Sequence, residues 1–546
     1  MLEIDNLKLK PIDDKDIQKY LAKNLSIKES ELSNLEIIQK SIDARKKPEI
    51  FFVYRIRFEL ADKNKEKQLL KKKNIKPVNS NNSYNPVWDI NVSNNAKYQP
   101  VVVGMGPAGL FAAYILALNG FKPIIIERGK AVEDRVKDVE DYWNNGKLNL
   151  NSNVQFGEGG AGTFSDGKLS TGIKDRQGRK EFLLDTFIKF GAKENIKYDS
   201  KPHVGSDVLR GVIKGLRDRI TELGGEIYYD TLFKDLEVSG NAVKGIVINR
   251  NGQDEHIDTD TVILALGHSS RDTFRMLYKK DYLKDFIVSK NFAVGFRVIH
   301  KQSFIDKSQY GPDYDSIYNG ILPVSPYKLT HNLKEGGGVY SFCMCPGGYV
   351  VNASSTDSGI CVNGMSNVDR NSGYANSAIV VSIGPDDYNV TGSPLDGINY
   401  QEMIENKIYN LGQGRILISR FSDYADALGY KRDYDRLDIK EDKAILGLYT
   451  YGDLSKVYSD RINKAFIEGM EHFDNIIKGY TGSDPLLCGV ESRTSSPITM
   501  LRNEKMYMNV KGLYPAGEGA GHAGGIVSAA IDGMKIGEMI VKGDLL

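Results

Sequence analysis

Cysteine is scarce in this chain: four among 546 residues, at Cys343, Cys345, Cys361 and Cys488. That is too few to staple a secreted scaffold of this length, so a reducing cytoplasm is the expected setting. Charge of one sign is equally lacking. The net value of +1 removes any whole-chain case for nucleic acid or an anionic membrane. The opening MLEIDNLKLKPIDDKD has no apolar core, so no secretory signal is expected. Residues 101–118 are uncharged and long enough to mimic a membrane span. Gly104, Gly106, Pro107 and Gly109 break that run, however, so it is read as a strand followed by a helix, with no membrane association.

What is present is ordinary apolar content, 41%, and ordinary charge, 26%. A chain of this composition and length buries a sizeable core and divides into two to four domains. Glycine clusters in it. Five of the eleven residues from Gly157 to Gly167 are glycine, and five of the nine from Gly517 to Gly525. Such clusters mark places where backbone must come close to something.

Four regions are expected. Residues 1–95 form an N-terminal α+β domain with a linker. LEIDNLKL, LEIIQKSIDARK and EIFFVYRIRFEL read as strands, and DDKDIQKYLAKNL as a helix. Residues 1–78 carry 19 Lys and Arg against 13 Asp and Glu, a local excess of six positive charges. Residues 79–97, rich in Asn and Ser, read as the linker. Residues 96–289 form the first part of a dinucleotide-binding domain, 290–490 an inserted mixed α+β substrate domain, and 491–546 the remainder of the dinucleotide domain. An amphipathic helix is expected over 206–224, short strands at EIYY, LFKDLEV, AVKGIVINR and DTVILALG, and a last helix over 526–541.

The sharpest motif lies at 98–128. Val101 to Val103 read as a buried parallel strand. Gly104-Met105-Gly106-Pro107-Ala108-Gly109 then matches GxGxxG. Gly104 permits the tight turn, Gly106 lets backbone approach a pyrophosphate, and Gly109 lets the helix pack on the strand. Pro107 suits the first helical turn, where a missing N–H costs nothing. The helix start offers free N–H groups to phosphate. Ile124 to Ile126 make the second strand, and Glu127 ends it, 18 residues after Gly109, where a carboxylate can hold ribose hydroxyls. Gly157 to Gly162 and Gly519 to Gly524 fit the same pattern. Neither is followed by a strand ending in an acid, so neither reads as a second Rossmann unit.

Three segments together resemble the glutathione-reductase-type FAD fold: 101–128, DTVILALGHSS at 260–270, and GLYPAGEGAGHAGGIVSAAIDGMKIGE at 512–538. GEGGAGTFSDGKLSTG at 157–172, SFCMCPGG at 341–348 and ESRTSSPI at 491–498 resemble more closely a family of uncharacterised bacterial FAD-dependent dehydrogenases. The resemblance implies an α/β, Rossmann-like FAD-binding domain with an inserted α+β domain and a small N-terminal one. It implies FAD contacts from Gly104, Gly106, Pro107, Ala108, Gly109, Glu127 and Arg128. Further contacts are expected from Gly160, Phe233 and Gly267, and from Gly517, Glu518, Gly524, Gly525 and Ile526. The helix beginning near Ile526 would stabilise negative charge on the reduced flavin. Monooxygenases of the hydroxybenzoate-hydroxylase type usually carry an aspartate where this chain has Gly517-Glu518, which weighs against that activity.

Candidates for chemistry are Lys168, His268, Cys343, Cys345, Arg493 and His522. Lys168 can hold an anionic substrate or face the flavin; a surface lysine is the plainer reading. His268 and His522 can touch the flavin or donate protons. Cys343 and Cys345 form a CxC pair. It reads as two structural cysteines lining the cofactor more readily than as a redox dithiol, because an unstrained disulfide at that spacing is difficult. Arg493 can bind a substrate carboxylate, or can form an ion pair with Glu491 or elsewhere. No metal-ligand spacing occurs.

The function expected is hydride transfer between FAD and a small organic substrate lying between the FAD domain and the 290–490 insertion. Two alternatives remain open. One is an FAD-dependent tRNA-modifying protein using the basic N-terminal domain, although no nucleic-acid motif is seen. The other is a flavin-stabilised interaction protein. No second βαβ fingerprint occurs between 170 and 500; Gly336-Gly337-Gly338 runs into a strand. NAD(P)H is therefore expected only as a transient donor over the flavin, held by side chains such as Arg493 or Lys168.

Overall fold

The computed structural model describes all residues except 14–15, 79–83, 89–97, 319, 335 and 544–546. A five-stranded parallel sheet runs in the order Leu513–Pro515, Val262–Leu264, Val101–Val103, Ile124–Ile126, Glu226–Tyr228. Apart from a few positions at the rim, these three-residue strands are apolar and buried, as a sheet covered on both faces requires. From Val101–Val103 the chain proceeds to strands on one side and later adds strands on the other. Its carboxyl end is thus the switch point where doubly wound sheets open a crevice. The resemblance to an FAD-type Rossmann fold holds at the level of topology.

The helix Pro107–Leu118 starts on Pro107, with no capping side chain, and is buried from Ala108 to Ala117. A helix apolar on every side belongs inside a large domain. It packs against the last helix, Ile526–Gly543. Gly533 permits the contact: a Cβ there would lie 2.0 Å from the Ala108 carbonyl oxygen. The apolar run at 101–118 is thus a strand and a core helix. Among the described residues, no helix is long and apolar enough to cross a membrane.

The three strands Thr231–Ser239, Ala242–Arg250 and Gln253–Asp258 form an antiparallel meander. Gly240-Asn241 and Asn251-Gly252 turn it, all four with positive φ, the two-residue hairpin geometry that matches strand twist. The third strand has no counterpart in the sequence reading, although Asn251-Gly252 signals it.

The second large sheet has seven strands. Its centre is Phe292–Lys301, paired antiparallel with Tyr374–Ile383 on one side and Leu486–Glu491 on the other. Gly338–Cys345 extends it past Tyr374–Ile383, and Ile416–Arg420 past Leu486–Glu491. Two short strands, Ile287–Ser289 and Ile498–Met500, pair where the chain enters and leaves this region. The strand Leu486–Glu491 runs across residue 490, so the return to the dinucleotide domain is a continuous strand and not a linker.

The N-terminal domain is a four-stranded antiparallel sheet, Leu32–Lys46, Glu49–Leu60, Leu2–Leu9, Ile75–Pro77, with helices Ile17–Leu25 and Lys63–Leu69. Asp16 caps the first helix through Lys19 N. The domain is fastened to the body. Tyr310, Tyr314, Tyr318 and Leu322 join its core, and Lys40 exchanges backbone hydrogen bonds with Tyr198 and Ser200. Part of the expected linker is packed as well. The Tyr84 hydroxyl donates to Glu538 (2.6 Å), and Trp88 N to the Asn119 side chain (2.9 Å). The remainder, 79–83 and 89–97, lies outside the described residues.

Candidate functional site: a cavity between two unlike walls

A cavity of about 320 Å³ opens at the carboxyl ends of the parallel strands. Its first wall is mostly backbone. Gly104, at φ +99°, turns the chain beside Ala265; a Cβ there would lie 2.4 Å from the Ala265 carbonyl oxygen. Gly106 differs. A Cβ on it would meet only Gly160 Cα, at 3.9 Å, so that position opens into the cavity. Gly109 does not line the cavity. Its Cβ would fall 2.0 Å from the Gly104 oxygen, so it is a packing glycine. Gly517 also lies outside the lining; its N–H binds Asp532, and a Cβ would press Ala108 at 2.8 Å. Pro107, Ala108, Phe233 and Gly267 line the cavity.

Glu127 is buried, and its carboxylate accepts from three backbone amides: Met105 (2.8 Å), Gly129 (2.9 Å) and Gly157 (2.9 Å). It therefore ties together the fingerprint turn, its own strand end and the following glycine loop. Oε1 takes two of these bonds and Oε2 one, which leaves Oε2 acceptor capacity for a ribose hydroxyl. Arg128 lies over the Phe156 ring at 4.4 Å and pairs with Asp272.

The loop from Gly157 is no second Rossmann turn. It continues into a short 3-10 turn, Ala161–Phe164, with Gly157, Gly159 and Gly160 at positive φ. Fully buried Arg135 moulds it, donating to the carbonyls of Asn153 (2.8 Å), Val154 (3.0 Å) and Glu158 (2.6 Å). Burial lowers the Arg135 pKa to about 10. The sequence reading missed this residue; an arginine inside an otherwise amphipathic helix gives no distinguishing mark. Gly524, Gly525 and Ile526 bring the start of the last helix to the cavity, and with it unpaired N–H groups and partial positive charge.

The second wall is charged: Arg297, Cys343, Cys345 and Glu491 come from the seven-stranded sheet, Asn363 and Arg370 from the chain between two of its strands, and Asp166 and Lys168 from the glycine-rich loop after Gly157. Arg297, in the middle of FAVGFRVIHK, is fully buried. It reaches Glu491 (2.9 Å), the Cys343 carbonyl (3.0 Å), Asn376 (2.8 Å) and Asn363 (3.0 Å). A charge inside an apolar strand pattern was the legible signal for it. Burial raises the Glu491 pKa, and the Arg297 charge opposes this. Asp166 holds two cations: Arg370 Nη2 at 2.6 Å and Lys168 Nζ at 3.1 Å. Burial works against its charge, yet the two cations bring its pKa down to about 2.

Lys168 faces the cavity, with its Nζ 3.8 Å from Cys345 Sγ. Cys343 is exposed to the same space, at φ +43° on an irregularity of its strand. Although open to the cavity, it is deeply enclosed by the fold, and that burial lifts its thiol to about 11 against the charges of Lys168 and Arg297. Cys345 is buried, and its pKa is raised for the same reason. Neither cysteine is a thiolate near neutrality. His268 sits with its Nδ1 3.4 Å from Glu518, and its buried Nε2 has no partner among the described residues.

Two expectations require correction. Arg493 is not free for a substrate carboxylate. Its Nε and Nη2 grip Glu405 (2.9 and 2.8 Å), and Nη1 binds Ser269 (3.0 Å) and Ser355 (2.6 Å). Its ionic partner is Glu405 and not Glu491. Arg271 holds the same carboxylate at 2.8 Å, so one acid on the helix Asp396–Leu411 clamps two arginines from separate segments. His522 is turned away: its Nε2 bonds the Met500 carbonyl (2.9 Å), and it does not line the cavity.

A turn of bare glycine, a buried acid after the second strand and two helix starts on one crevice define an FAD-binding flavoprotein. The unpartnered His268 nitrogen and the open position at Gly106 fit that cofactor. A family model described as "FAD-dependent protein, C-terminal domain-like" matches residues 291–494, and a domain of unknown function (DUF8436) matches residues 1–59. An uncharacterised protein of Clostridium beijerinckii is 41% identical over 553 residues, covering 99% of this chain and 98% of that one. The chain belongs to this family of FAD-dependent proteins.

Part of an NADH:fumarate oxidoreductase of Klebsiella pneumoniae is similar too, 21% identical over 44% of this chain and 28% of that protein. Among solved structures, a flavoprotein/dehydrogenase of Cytophaga hutchinsonii aligns over 82% of this chain and 78% of that one, at 13% identity and TM-score 0.36. E. coli quinol fumarate reductase aligns over 82% and 70%, at 12% identity and TM-score 0.35. At such scores neither structure bears on function.

Proposed function

We propose that this protein is an FAD-dependent oxidoreductase that moves a hydride between the flavin and a small organic substrate. One observation carries the reading. A single cavity joins the dinucleotide fingerprint at Gly104 to Ala108 with the charged wall bearing Lys168, Cys343 and Glu491. A cofactor stretched along the first wall would thus end against polar side chains of another sheet, the arrangement flavin chemistry requires. Bound FAD would supply two-electron redox chemistry. Glu127 and the fingerprint amides would hold the adenosine and pyrophosphate, and the start of the last helix would favour negative charge on the reduced ring. His268 stands with a free nitrogen for proton exchange.

The charged wall and the closed-off arginine Arg493 support a substrate held from Lys168 and its neighbours. Any NAD(P)H would enter the same open cavity transiently. The basic N-terminal domain gives less support to RNA binding, because Arg55, Arg57 and Lys76 are paired with Asp5 and Glu3. The test is an anaerobic screen of metabolites and NAD(P)H against the FAD-loaded protein, followed at the flavin absorption band. Bleaching by an organic compound supports the reading. A flavin that dithionite reduces but no metabolite or nicotinamide nucleotide does would favour a non-catalytic flavoprotein.

A further inference from the structure

The charged wall is not electrically balanced, and the imbalance faces the cavity. Arg297 and Glu491 neutralise one another. Arg370 and Lys168 share a single carboxylate, Asp166, which is also bound by Ser366. Two cations on one acid leave one positive charge. Arg370 takes both oxygens of Asp166. The Lys168 ammonium is left with the shared Oδ2 and a long contact to Cys345 Sγ. An ammonium has three donors, so one N–H has no acceptor among the described residues.

Asn363 adds a second donor. Its Oδ1 is occupied by Arg297 Nη2 (3.0 Å) and Gly364 N (2.7 Å). That fixes the amide so that its NH2 is the end left for a ligand, on a residue that lines the cavity. His268 Nε2, on a side chain only 10% exposed in the same cavity, has no partner among the described residues. A partly desolvated positive charge with unused donors is costly unless an anion completes it.

We propose that this end of the cavity is an oxyanion subsite, in which Lys168 Nζ and Asn363 Nδ2 hold the carboxylate or phosphate of the substrate. The substrates are therefore small organic anions. This rests on the oxidoreductase reading for the word substrate, but the subsite itself does not need turnover.

The test uses the FAD-loaded protein titrated with acetate, inorganic phosphate and neutral acetamide at constant ionic strength, read by calorimetry and by perturbation of the flavin spectrum. Saturable binding of acetate or phosphate is expected, with acetamide weaker by about tenfold or more, the worth of one charge-assisted hydrogen bond. A response to acetate alone assigns a carboxylic acid, and to phosphate alone a phosphorylated compound. Lys168→Gln, at unchanged FAD content, should lose about tenfold in anion affinity, and Lys168→Arg should restore most of it. Equal binding of acetamide and acetate, or no binding of either anion, overturns the proposal, as does full anion affinity in Lys168→Gln. If that variant fails to load FAD, the acetate–acetamide contrast in the wild type decides alone. Anion binding without reduction by any metabolite would leave the subsite standing and remove the oxidoreductase reading. Reduction by a neutral substrate would do the reverse.

Discussion

The two walls of the cavity are built on opposite principles. The centre of the fingerprint wall is local: one turn, one helix start and one acid within residues 101–129, acting mainly through backbone atoms, with Gly160, Phe233, Gly267 and the start of the last helix around it. The charged wall, here called the sheet wall, gathers Arg297, Cys343 and Glu491 from the seven-stranded sheet, Asn363, Arg370, Glu405 and Arg493 from segments around it, and Asp166 and Lys168 from the glycine-rich loop; it draws on segments far apart in sequence and acts through side chains. The difference shows where stability and function are exposed to mutation. Backbone sites fail by steric intrusion. Side-chain sites fail when a buried charge loses its partner.

The largest effect is expected at the sheet wall. Glu405→Ala would leave Arg271 and Arg493, both buried, without their common acid. Breaking such a pair costs about 3–5 kcal/mol, which a urea melt would register. A loss under about 1 kcal/mol would mean that the charges relax to water and that this wall is looser than drawn.

Acid should separate the walls next. His300, on the central strand of the seven-stranded sheet, is buried with its Nε2 on the Tyr480 carbonyl at 2.7 Å, and burial lowers its pKa from 6.5 to about 4. The folded state resists the proton that the unfolded state accepts. The His300 contribution is therefore fully present above pH 6.5 and is lost as pH falls from there towards about 4. A shift of this size is worth about 3 kcal/mol. His300→Gln should flatten that stretch of the stability–pH curve measured by chemical denaturation. An unchanged slope would assign the acid sensitivity elsewhere.

At the fingerprint wall, two glycines three residues apart should part company. Gly109→Ala drives a Cβ to 2.0 Å from the Gly104 carbonyl and should destabilise the protein by about 2–3 kcal/mol whether or not FAD is present. Gly106→Ala meets nothing nearer than 3.9 Å. It should fold normally while holding FAD poorly, as flavin content after gel filtration would reveal. Normal flavin content in Gly106→Ala would remove the pyrophosphate from that turn.

The smallest effect is expected at Cys343. Its thiol, lifted to about 11 by burial, should react slowly with iodoacetamide at pH 7.5 and faster as the pH rises towards that value. Cys343→Ser should keep FAD and change stability by less than about 1 kcal/mol. Rapid labelling at neutral pH would reveal a thiolate, and with it the redox reading of the CxC pair.

Sequence alone determined the fingerprint wall. The valine run, the glycine spacing, Pro107 and Glu127 each act within a single βαβ unit, where backbone sterics and chain direction leave little choice. It also determined that the last glycine cluster opens a helix, whose start reaches the cavity. Tertiary structure decided the rest. It made Arg493 a buried clamp on Glu405, turned His522 away, set Gly517 outside the cavity lining as a packing position, and joined Asp166 to Arg370 across 204 residues. The physical reason is range. Steric rules on φ and ψ and helix-start geometry are local and can be read in order along the chain. A buried charge takes whichever partner the packed sheets bring within about 3 Å, and nothing in the residues flanking it records which one that will be.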